Sequence, residues 1–145
     1  MFAEKNTFYD TLVAQADALI ADESDLIANM ANISALLFLE MPDLNWAGFY
    51  ILRNNELVLG PFQGKPACVR IAVGKGVCGT AVATGDIQLV RDVHEFPGHI
   101  ACDAESRSEL VVPVIRDEQV IAVIDLDSPL PARFTPDDQQ TLERL

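Results

Sequence analysis

Trp46-Ala47-Gly48-Phe49-Tyr50-Ile51-Leu52-Arg53-Asn54-Asn55-Glu56-Leu57-Val58-Leu59 is the stretch that decides the fold class. Trp46, Gly48, Tyr50 and Leu52 alternate with Ala47, Phe49 and Ile51, the period of two that marks a strand buried on at least one face. Asn54-Asn55 is a turn signal, and Glu56 to Leu59 reads as the return strand of a hairpin.

Upstream the period is helical. Phe8, Leu12, Ala16, Leu19 and Ile20 recur at helical spacing after Thr7, a candidate N-cap. Ser24 or Asp25 opens a second run through Leu26, Ile27, Met30, Ile33, Leu36 and Leu37, which Pro42 stops. Downstream, Val69, Ile71 and Val73 alternate with Cys68, Arg70 and Ala72, which turns Cys68 away from the apolar set. Gly74 to Gly79 leads into a short helix, Thr80 to Ala83, closed by Gly85, and Ile87 to Val90 is a short strand. From Asp92 to Ser106 the chain has little periodicity; a loop of that length in a small domain is usually functional or mobile. Leu110 to Ile115 and Val120 to Leu126 form a last hairpin about Arg116-Asp117-Glu118. Thr135-Pro136-Asp137-Asp138 carries an N-cap, a first-position proline and first-turn acids, so it opens a final helix. The expected architecture is α+β: a central, mostly antiparallel β-sheet flanked by helices, with a pocket under the long loop.

The 145 residues bound a single domain, 1–145. No apolar run approaches the roughly 20 residues of a membrane span. The start, Met1-Phe2-Ala3-Glu4-Lys5, lacks a secretion signal's layout, so a cytoplasmic protein with no membrane partner is expected. A formal net charge of −12 argues against a nucleic-acid partner, whose phosphates call for Lys and Arg. Some of the acids are free to line a pocket for a cationic group.

Gly74 to Gly79 is not a phosphate loop, because no Lys-Ser/Thr follows the last glycine. It also lacks the βαβ context of a dinucleotide site, and no cofactor is expected. His94, His99 and Cys102 share one loop, but there is no CxxC or HExxH pair, so no metal is expected. Three cysteines in a chain without a signal do not suggest a structural disulfide framework. Cys102 stands in a polar loop, His99-Ile100-Ala101-Cys102-Asp103, where a reactive thiol is the better reading. Cys78, between Val77 and Gly79 at a helix start, reads equally as a packing residue or a redox thiol.

Glu109 opens one strand of the last hairpin, and Asp125 and Asp127 close the other. The two aspartates are two apart and share a strand face, and the short turn brings Glu109 alongside them. A solvated rim would explain three acids there. Asp125, however, interrupts a buried run, Val120 to Leu126, where a carboxylate needs a partner, and a cationic ligand is a natural one.

Together these residues resemble the free methionine-R-sulfoxide reductases, a branch of the GAF-domain superfamily. The matching segments are Asn45-Trp46-Ala47-Gly48-Phe49-Tyr50, Leu59-Gly60-Pro61-Phe62-Gln63-Gly64-Lys65, Ala67-Cys68-Val69-Arg70-Ile71, Gly76-Val77-Cys78-Gly79-Thr80-Ala81, His99-Ile100-Ala101-Cys102-Asp103 and Asp125-Leu126-Asp127-Ser128. The resemblance implies a GAF-like fold, free methionine sulfoxide as substrate and thioredoxin as reductant. It also implies Cys102 as nucleophile, Cys68 as the chief resolving thiol and Cys78 as an auxiliary. On this basis Glu109 or Asp127 protonates the sulfoxide oxygen, and Cys102 passes through a sulfenic acid to a disulfide. Glu109, Asp125 and Asp127 bind the substrate with Trp46 and Tyr50, which wall the pocket unless they are plain core aromatics. The chain departs from the family where its final helix ends after about two turns, too short to persist without packing. A homodimer is left open. The alternative class is a GAF module that senses a small ligand without turning it over. Thiol titration before and after methionine sulfoxide separates them, since an enzyme loses a pair of thiols and a sensor keeps them.

Overall fold

The computed structural model describes residues 2–96 and 106–143. Among the described residues six strands form one sheet in the order β3-β2-β1-β6-β5-β4, and every pairing there is antiparallel. The strands are β1 Trp46–Arg53, β2 Glu56–Gly64, β3 Arg70–Ala72, β4 Gln88–Val90, β5 Ser108–Arg116 and β6 Gln119–Ser128. The helices are α1 Phe2–Ile20, α2 Leu26–Glu40, α3 Gly76–Thr84 and α4 Pro136–Glu143.

The period of two in β1 splits the sheet into two faces. Ala47 and Phe49 join Leu110, Val112, Ala122, Ile124 and Leu126 against Leu12 and Ala16 of α1, Ile33 and Leu37 of α2 and Leu142 of α4. Trp46 and Tyr50 join Val111 and Val123 on the other face, against Val77, Cys78 and Ala81 of α3. The α+β expectation therefore holds, as three layers with the sheet in the middle. None of the described helices is long and apolar enough to cross a membrane.

Local chemistry sets the ends. The Asp25 carboxylate accepts the Ala28 N–H at 2.8 Å and caps α2, which settles the choice between Ser24 and Asp25. Both main hairpins turn on two residues of positive φ, Asn54-Asn55 and Asp117-Glu118, the arrangement that matches strand twist. Gly85 closes α3 in the left-handed region. The short α4 is held by packing: Leu142 is buried, and Tyr9 of α1 donates to the buried Asp138 carboxylate at 2.8 Å.

Several boundaries differ from the sequence reading. Thr7 is not an N-cap, because α1 already runs from Phe2. α3 starts at Gly76 rather than Thr80, and Gly79 is tolerated within it because it packs closely on Ala72 at the end of β3. β2 continues past Leu59 to Gly64 through a bulge: Gly48 pairs with Phe62 and Tyr50 with Leu59, so Gly60 and Pro61 together face Phe49. Val69 and Val73 are not core. They are 60% and 38% exposed, since β3 is a three-residue edge strand of which only Ile71 is buried. Cys68 precedes that strand, so the alternation does not reach it, and its side chain packs against the α3-side cluster instead of facing away.

Gly48 is required where β2 crosses closest. A Cβ there would lie 2.3 Å from the Phe62 Cβ and 2.9 Å from the Trp46 ring. Gly48→Ala should therefore cost about 1–3 kcal/mol through overpacking. Urea unfolding checks this, and an unchanged midpoint would show that the ring stack yields freely.

Candidate functional site

The α3 face of the sheet carries the acids. Within β5–β6 the residues Glu109 and Asp127 are directly opposite each other, as are Val111 and Asp125. Across β1–β6, Trp46 is opposite Asp127 and Gly48 opposite Asp125. Period and register together thus place Trp46, Tyr50, Glu109, Asp125 and Asp127 on one face, and all five line one pocket. Cys78 reaches it from the first turn of α3, with Gly76, Val77 and Lys75 beside it.

This is not a solvated rim. Glu109 is 7% exposed and Asp125 6%. Burial, and then the charge of Asp127, push the Glu109 carboxyl up to about 8. Burial raises Asp125 well above the usual carboxylate range, followed by the charge of Glu109 and a hydrogen bond with it. The Cys78 thiol donates to Glu109 Oε2 at 3.8 Å. Burial and then the charges of Asp125, Glu109 and Asp127 hold that thiol well above its ordinary value, so it is neutral. The pocket therefore retains protons, and Asp125 Oδ1 is buried with no hydrogen-bond partner.

The walls are aromatic. Trp46 stacks on Phe62 at 5.1 Å between centroids and on Tyr50 at 5.9 Å. Trp46 Nε1 donates to the Lys65 carbonyl at 3.1 Å, and the Tyr50 hydroxyl to the Cys68 carbonyl at 2.9 Å. Buried Tyr50 is kept neutral by desolvation, assisted by the charge of Asp125. These bonds fix the rings and anchor the backbone of Cys68 beside the pocket. Cys68 is disulfide-bonded, whereas Cys78 is a free thiol.

Cys102 and His99 lie outside the described residues, as does most of the Asp92 to Ser106 loop. Both ends of that stretch belong to the pocket side: Phe96 packs on the α3-side cluster, and buried Ser106 lines the pocket and accepts from Asn45 Nδ2 at 3.3 Å. His94 is exposed on a 3-10 turn, Val93–Glu95. Phe62, Pro66, Ala67, Lys75 and Ser106 had no place in the sequence reading of the site. Of these only Phe62 left a signal, because the glycine opposite it demands a close neighbour.

The Glu109 shift has a consequence for stability. Its folded value is raised from 4.5 to about 8, so its contribution is fully present below about 4.5 and is lost as pH rises towards 8. Glu109→Gln escapes that loss, and without ligand it should outlast the parent at pH 8 by on the order of 2–4 kcal/mol while differing little at pH 4.5. Denaturant unfolding at both pH values measures this. A difference independent of pH would mean that the carboxyl is solvated.

The GAF domain family model matches residues 15–145. The chain is 55% identical over 141 residues to a protein of Escherichia coli K12 named free methionine-R-sulfoxide reductase, covering 97% of this chain and 86% of that one. The structure of fRMsr of Staphylococcus aureus in complex with substrate superposes with a TM-score of 0.89 at 54% identity, covering 93% of this chain and 88% of that one. Free methionine-R-sulfoxide reductase from Neisseria meningitidis in complex with its substrate gives a TM-score of 0.90 at 45% identity, covering 92% and 81%.

Proposed function

This chain belongs to the GAF-domain family and, within it, to the free methionine-R-sulfoxide reductases, and on that premise we propose how its own residues reduce the free amino acid. The observation that carries the reading is the buried acid cluster: Asp125 Oδ1 has no partner, at the floor of an aromatic-walled pocket. An α-ammonium group satisfies that oxygen and stabilises an ionised Asp125 while Glu109 keeps its proton. The first turn of α3, which has no side-chain cap and opens on the pocket beside Lys75, receives the α-carboxylate. Trp46 and Tyr50 hold the S-methyl end.

The Cys102 thiolate attacks the sulfoxide sulfur while Glu109 or Asp127 protonates its oxygen. Glu109, being retained as an acid at neutral pH, is the better supplied donor. Oxygen passes to Cys102 as a sulfenic acid and methionine leaves. Cys68 attacks that sulfur, water departs and a disulfide forms, which thioredoxin reduces by thiol exchange. The disulfide-bonded state of Cys68 and the free state of Cys78 support this order, with Cys78 as an auxiliary thiol. The enzyme works as a cytoplasmic protein without a cofactor.

Cys68→Ser tests the order. It should release one methionine equivalent in a single turnover and leave an extra oxygen on Cys102 by mass spectrometry. Steady-state turnover with thioredoxin should fall by roughly fivefold or more, partly rescued by small thiols. A Cys68–Cys78 disulfide as the only product of the parent protein would contradict it.

A further inference from the structure

Cys78, Glu109 and Asp125 each place one donor atom so that all three lie within 4.8 Å of one another, and all three residues are buried. We propose that this trio is a binding site for a thiophilic divalent cation, zinc above all, which occupies the pocket in competition with the substrate. The competition rests on the pocket reading given above; the binding itself does not.

The geometry supports a tetrahedral ion. With Zn–S near ~2.3 Å and Zn–O near ~2.1 Å, tetrahedral sulfur and oxygen donors lie about 3.6 Å apart. The Cys78 Sγ to Glu109 Oε2 separation is 3.8 Å, so little motion is needed. Thiolate and carboxylate are both ordinary zinc donors, and three protein ligands leave the fourth position for water, the arrangement of an open site. That position faces the pocket, which all three residues line. The unpartnered Asp125 Oδ1 points independently to a cationic occupant.

The donors come from three elements held in one rigid frame: β5 and β6, which pair directly, and the buried first turn of α3. Cys78 cannot ionise easily by itself, because burial and the neighbouring charges raise its pKa. A bound dication reverses that balance, since a coordinating thiol loses its proton outright. The thiol proton and the proton held between the carboxyls pass to the buffer. Ammonium and zinc thus answer the same negative charge, but only zinc recruits the sulfur.

The test uses the full chain carrying Cys68→Ser and Cys102→Ser. The sequence has three cysteines, so Cys78 is then the only thiol. Titration with cobalt(II) as the probe should produce the thiolate-to-cobalt charge-transfer band, saturating at one ion per chain. Zinc should displace the cobalt, and free methionine should weaken cobalt binding. Asp125→Asn in this background should weaken cobalt binding by at least about tenfold. In the parent protein, pre-reduced and free of chelating thiols, zinc should inhibit methionine release competitively with methionine sulfoxide. No band in a double variant whose circular dichroism is that of the folded parent would overturn the site, as would a band unaffected by Asp125→Asn. Failure of the competition alone, with the band present, would instead count against the pocket as the substrate site.

Discussion

Cys102→Ser should lower kcat/KM for free methionine-R-sulfoxide by about three orders of magnitude or more, because a neutral hydroxyl is a far poorer nucleophile towards sulfur. Neither remaining cysteine is placed to replace it. Cys78 is buried and its thiol is held protonated by desolvation and by three carboxylates. In the proposed order Cys68 acts only in the second step, after oxygen has been transferred. The substitution should leave ligand binding intact. The chain's one tryptophan, Trp46, lines the pocket and stacks on Phe62, so its fluorescence reports methionine binding in the inactive variant. Residual turnover within about tenfold of the parent would move the nucleophile to Cys68 or Cys78.

The acids were legible in the sequence for a definite reason. A short turn brings the start of β5 alongside the end of β6, and a period of two puts Asp125 and Asp127 on one face, so the three acids could be set at one end from spacing. That Glu109 shares their face depends on the bulge between Val114 and Ile115, without which the two-residue turn would set it opposite Leu126. The same period sorted Trp46 and Tyr50 from Ala47 and Phe49. What spacing cannot give is depth. Whether those acids form a wet rim or a buried cluster depends on α3 and on the chain near Ser106, which reach the pocket from elsewhere in the sequence. The return strand reads only to Leu59 in the sequence because a bulge is a tertiary solution, visible only once β1 lies opposite. Cys68 was turned the wrong way because alternation was extended across a strand that holds only three residues. Thr7 and the glycines of α3 misled through propensity, which packing overrode.

The second large effect concerns what the pocket reads. In the proposed pocket the buried Glu109 and Asp125 answer a free α-ammonium, whereas the uncharged amide of a peptide or an acetylated substrate offers them no charge. Losing that charge-assisted contact costs about 1.5–3 kcal/mol, which corresponds to about tenfold to a hundredfold in kcat/KM. Asp125→Asn should narrow that preference, since it removes one of the charges the ammonium answers.

Free methionine-R-sulfoxide, its S epimer and N-acetylmethionine sulfoxide, offered in turn with thioredoxin recycling, form the most direct test. The free R epimer should be reduced at least about tenfold more efficiently than the acetylated compound, and the S epimer should be a poor substrate. Comparable kcat/KM on the free and acetylated compounds would contradict the buried carboxylates as readers of a free amino acid, even if Cys102 proved essential.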